Sequence, residues 1–113
     1  MRHDVDRHSG PLSEPVLLIL LSLAEEPRHG YAILKDVEEL SDGRVRMSTG
    51  TLYGALWRML DDRWIERSQE PDAPRDRLAY RLSSVGRQTL ESEAGRMKFL
   101  TRIASLRLTR AEV

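Results

Sequence analysis

Apolar residues recur along the chain every third or fourth position in some stretches and every second position in others, and this rhythm divides it into elements. Val16 to Leu21 are all apolar, and Leu23 follows. Ser13 is placed to cap a helix here, with Pro15 in its opening turn and Leu12 able to staple onto Leu17; Pro27 stops it after the acidic pair Glu25 and Glu26. A helix apolar nearly all round must be covered on more than one side. In so small a domain this predicts that part of its surface, Leu17 and Leu20 included, meets a second subunit.

From Gly30 to Leu40 the pattern is amphipathic, with Ile33, Leu34, Val37 and Leu40 on one side and Lys35, Asp36, Glu38 and Glu39 on the other. Ser41, Asp42 and Gly43 break this second helix, and Arg44, Val45, Arg46 and Met47 then alternate as a short strand does. Ser48 caps a third helix running to about Asp62, buried through Leu52, Leu56, Met59 and Leu60. Gly50, Gly54, Trp57, Arg58 and Asp61 fall on its opposite face. Ile65 to Gln69 and Leu78 to Leu82 read as two strands joined by the polar loop Glu70 to Arg77. Ser83 caps a long last helix, from about Ser84 to Arg107, in which Leu90, Ala94, Met97, Leu100, Ala104 and Leu108 recur at helical spacing and Phe99, Ile103 and Leu106 widen the stripe. A helix this apolar beyond the compact unit predicts a dimer contact, made by Leu90, Met97, Leu100, Ile103 and Ala104.

Three helices followed by a hairpin is the winged-helix layout, in which the third helix enters the major groove of DNA and the hairpin touches the flanking backbone. The expected fold is mainly α with a small β-hairpin: a winged helix-turn-helix plus a long C-terminal helix. Residues 1–11 read as a flexible leader, 12–82 as the DNA-binding domain and 83–113 as the dimerisation helix.

Composition narrows the function classes. The 113 residues suit one domain, and the absence of cysteine removes disulfides and thiolate metal sites. The longest apolar run is far short of the roughly 20 residues that span a bilayer, and Met1 to Asp6 mix charges without a signal-peptide core, so a cytoplasmic location is expected. His3, Asp4, Asp6 and His8 offer metal-ligating side chains but no supporting shell, and no metal or cofactor is expected. No catalytic constellation or phosphate loop points to an enzyme. Net charge is zero, which by itself argues for no nucleic-acid partner, but only Lys35 and Lys98 of the 18 basic residues are lysine. Arginine suits bidentate phosphate and guanine contacts, though a GC-rich genome gives the same bias.

Three segments carry a resemblance. Arg28-His29-Gly30-Tyr31-Ala32-Ile33, then Ser48-Thr49-Gly50-Thr51-Leu52-Tyr53 with Ala55-Leu56, then Ala79-Tyr80-Arg81-Leu82-Ser83 with Gly86-Arg87 resemble, in order and spacing, motifs of the PadR family of bacterial transcriptional regulators, over about residues 12–90. The single long last helix is similar to that of the shorter PadR subfamily, which dimerises through it. The resemblance implies a homodimeric repressor on a palindromic operator in double-stranded DNA. Tyr31, Ser48, Thr49, Gly50, Thr51, Tyr53 and Arg58 are the expected DNA contacts, and the family's basic wing implies Arg75 and Arg77. Tyr53 also suits a packed ring, and Arg75 and Arg77 also suit a solvated loop paired with Asp72 and Asp76. His29 reads as a helix cap or a phosphate contact. Some relatives bind flat hydrophobic molecules between the long helices, which implies a small hydrophobic effector near Met97 and Phe99, two residues that equally suit interface core. The family commonly has basic residues where this chain has Gly54 and Trp57, and glycine where it has Arg63. The rival assignment is a protein-interaction or adaptor module on the same fold without DNA binding.

Overall fold

A computed structural model describes residues 12–68 and 78–112. Helix α1 (Glu14–Ser22) is capped by Ser13, whose hydroxyl oxygen accepts from the Val16 amide at 3.4 Å. It ends at Ser22 rather than continuing to Pro27. Arginines from later in the chain take carbonyls at this exit: Arg28 Nε donates to Ser22 at 2.7 Å and Arg87 to Ala24 at 3.1 Å. Leu18, Ile19, Leu20 and Leu23 are buried under the second helix and the start of the last one, so the apolar surface of α1 is covered largely within its own chain. Leu20 is therefore not a dimer contact, being wholly enclosed in the monomer, while Leu17 is half-buried.

The early exit makes room for an element the apolar pattern does not announce, strand β1 (Arg28–His29), which runs antiparallel to the later wing strand with Arg28 opposite Tyr80 and His29 opposite Ala79. Helix α2 (Gly30–Leu40) follows at once. Its end turns through the left-handed region at Asp42 (φ 56°) and Gly43 (φ 81°), whose amides bond back to Glu39 and Glu38 and satisfy the last carbonyls. Arg44 to Met47 form no strand, despite their alternation. They are a connector held by Ser41, which accepts from the Val45 amide at 2.9 Å, and by the ion pairs Arg44–Glu14 (3.0 Å) and Arg46–Glu38 (3.2 Å).

Helix α3 (Thr49–Asp61) buries Leu52, Ala55, Leu56 and Met59, with Leu60 half-buried at the edge of the stripe. Strands β2 (Ile65–Arg67) and β3 (Ala79–Leu82) pair antiparallel, Ile65 opposite Leu82 and Arg67 opposite Tyr80, giving the sheet order β1-β3-β2. Helix α4 (Ser84–Ala111) is capped by Ser83, and its Gly86 lies so close to the Trp64 carbonyl that any side chain there would overlap it. Only the first third of α4 enters the core, through Leu90 and Glu93; from Ala94 onward its residues are exposed, save half-buried Ile103. Leu90 thus belongs to the chain's own core and not to a dimer surface.

Candidate nucleic-acid interface

Ser48 sets the start of α3. Its hydroxyl oxygen accepts from the Thr51 amide at 3.1 Å and its proton goes to the Thr51 hydroxyl at 3.0 Å, so two of the expected DNA contacts are partly engaged in holding the helix end. The amides of Thr49 and Gly50 have no partner among the described residues, and both residues are exposed. An open first turn of this kind, at the positive end of the helix dipole, accepts a phosphate.

The helix-turn-helix brings the start of α2 against this turn. Tyr53, on α3, lays its hydroxyl where a side chain on Gly30 would stand, so only glycine allows the two helices to meet there. Tyr53 packs its hydroxyl edge against Gly30 while the residue stays 43% exposed. Tyr31, in the first turn of α2, is 65% exposed, with Lys35 Nζ 5.8 Å from its ring centre. His29 occupies the cap position of α2, but its side chain makes no cap bond and so does not serve as the helix cap; it stands exposed at the same corner.

Behind this corner Tyr80 is buried on β3. Burial raises its hydroxyl above the usual tyrosine value and neighbouring Tyr53 adds to the shift, against the opposing effect of Arg67, which is hydrogen-bonded to it. Arg67, which belongs to none of the three motifs, is an exposed cation on β2 beside Tyr80 and close to α3. Its signal in the sequence was its place on the first wing strand, just before the polar loop. Arg58 is exposed and lies back along α3, its guanidinium near the open side of Gly54. Arg75 and Arg77 lie outside the described residues, as do His3, Asp4, Asp6 and His8. Among the described residues no group of three or more His, Asp or Glu side chains is placed to hold a metal, and no helix is long and apolar enough to cross a membrane.

The model of the transcriptional regulator PadR-like family matches residues 19–92, from the second half of α1 to the buried start of α4. The chain belongs to the PadR-like family. Members of that family are transcriptional regulators, not enzymes. An uncharacterized 37.1 kDa protein of transposon TN4556 in Streptomyces fradiae is 36% identical over 85 residues, 75% of this chain; the chain spans only 23% of that relative's length. Among solved structures, a PadR family transcription regulator of Clostridium difficile is similar in fold, with a TM-score of 0.69 and 23% identity over 85% of this chain and 99% of that one. Bacillus subtilis PadR in complex with operator DNA has a TM-score of 0.61 and 20% identity, over 74% of this chain and 47% of that one. These likenesses establish the winged-helix architecture for this PadR-like chain.

The glycine that the PadR resemblance implies at position 63 would have a structural reason here. Arg63 sits just past α3 with φ 65°, and the amides of Arg63 and Trp64 bond to Leu60 and Met59 in the closing turn that glycine favours. On α4, Met97 and Leu100 are exposed together with Phe99, over whose ring Arg102 lies at 5.9 Å; Ala104 is exposed and Ile103 half-buried.

Proposed function

We propose that this PadR-like protein is a sequence-specific DNA-binding repressor that works as a homodimer on a palindromic operator. The observation that carries the proposal is the corner where the open first turn of α3 (Thr49, Gly50) meets the start of α2, with Tyr31 and Tyr53 exposed there; the cation Arg67 lies farther along, beside the last turns of α3. Free amides and tyrosine hydroxyls recognise phosphate, and Arg58 has the reach for phosphate or a base edge. Arg75 and Arg77 extend the contact from the wing. The operator-bound Bacillus subtilis relative supports this use of the fold.

Dimerisation follows from the exposed apolar stripe of α4. Met97, Leu100, Ile103 and Ala104 form a seam that a second copy of the same helix fits, with Leu17 as a peripheral contribution. Met97 on this seam, with Phe99 farther round the same turn of the helix, marks where a small hydrophobic effector would release the repressor.

Anisotropy titration with the DNA immediately upstream of the protein's own gene, against a scrambled duplex at two salt concentrations, tests the proposal. Tight binding to the native fragment alone, weakening as salt rises, is the expected result. Equal, weak binding to both would favour the adaptor assignment.

A further inference from the structure

Trp57 stands on the open side of α3 and is 69% exposed, more than any other large apolar side chain described in the molecule. It walls an open cleft of about 270 Å³ between α3 and β2, together with Leu60, Asp61 and Arg67. An indole this exposed contributes nothing to the core of its own chain. It carries no charge for a phosphate, and the phosphate-accepting amides of Thr49 and Gly50 lie two turns away at the helix start. Between them the same face carries Gly54, where an added side chain would meet only an Arg58 guanidinium nitrogen at 3.9 Å, so the helix surface ahead of Trp57 is low and admits close approach. Asp61, one turn further on, repels phosphate and leaves the flanking strand to Arg67. An apolar side chain at the floor of the major groove has one complementary group among the base pairs, the C5 methyl of thymine.

We infer that Trp57 is a specificity-determining residue that packs its indole on a thymine methyl within each operator half-site. This rests on the DNA-binding function proposed above and adds to it the base that α3 selects.

The test begins by enriching duplexes from a randomised pool with the full wild-type chain. In the enriched duplex each thymine is then replaced in turn by deoxyuridine, which deletes the methyl and keeps the pairing. At one thymine per half-site the wild type is expected to lose about fourfold in affinity, the worth of one buried methyl group. Trp57→Ala, which removes no buried contact, should bind the two duplexes alike, and Trp57→Phe should keep part of the discrimination. If Trp57→Ala and wild type respond equally to every methyl deletion, or the wild type responds to none, the inference is overturned while operator binding stands. A pool in which nothing is enriched overturns both.

Discussion

Arg63 holds a backbone conformation that costs an L-residue with a side chain about 1–2 kcal/mol, partly offset by the chain entropy that glycine loses on folding. With φ at 65° and its amide already committed to the closing turn of α3, the position rewards the absence of a Cβ rather than the presence of a guanidinium. Arg63→Gly should therefore stabilise the protein by about 0.5–1 kcal/mol in urea unfolding. Arg63→Ala, which keeps the Cβ, should give no such gain; an equal gain would place the cause in the arginine side chain. The departure from glycine was visible in the sequence, but its meaning was not, because φ is set by where α3 stops and by the pull of Trp64 into the core. Tyr53 shows the converse. Its motif marked it as a DNA contact, and what the motif left open, the fit of its hydroxyl edge over Gly30, required knowing that α2 begins against α3.

Helices α2 and α3 were legible because each shows one apolar face, a capping or breaking signal and enough length to average out exceptions. Two-residue β1 had neither length nor alternation and exists only because β3 offers it a partner. Arg44 to Met47 had the alternation and lack the partner. The end of α1 differs from the expectation for a related reason: Pro27 marks the last residue at which a helix must have stopped, while the carbonyls freed at its actual end are taken by Arg28, close by, and by Arg87, distant in sequence. Another long-range link ties the start of the described chain to α4. Glu93, buried on α4, accepts from the Leu12 amide at 3.4 Å and from Arg96 at 2.6 Å and 3.0 Å. The Arg96 hydrogen bonds hold its carboxyl below the usual carboxylate range despite the opposing effect of burial. A carboxyl depressed on folding contributes stability in full above its unfolded value, about 4.3, and loses it as the pH falls through the lower folded value. Glu93→Gln should accordingly unfold at lower urea than wild type at pH 7, and the gap should close as the pH is taken toward 3. A gap of constant size across that range would assign the effect to packing rather than to charge.

The molecule is elongated, 62 × 37 × 23 Å, because most of α4 runs on past the domain that its first turns help to build. The apolar stripe on that extension was legible as helical periodicity, and the shift of Leu20 and Leu90 from dimer surface to monomer core was not, since a pattern distinguishes buried from exposed faces but not which chain does the burying. Met97→Glu combined with Leu100→Glu alters two exposed positions and leaves the core intact. The pair should convert a dimer to a folded monomer in sedimentation velocity and weaken operator affinity by about a hundredfold or more through loss of the second half-site. In the proposed dimer, two copies joined along α4 would carry two α3 helices, and a two-fold relation between them would require two equivalent sites on one face of the duplex. Hydroxyl-radical footprinting of the wild-type protein on its enriched duplex tests this most directly. The expected result is two symmetric protected patches about one helical turn, roughly 10 base pairs, apart or a whole multiple of it; a single asymmetric patch, or no protection at saturating protein, would contradict it.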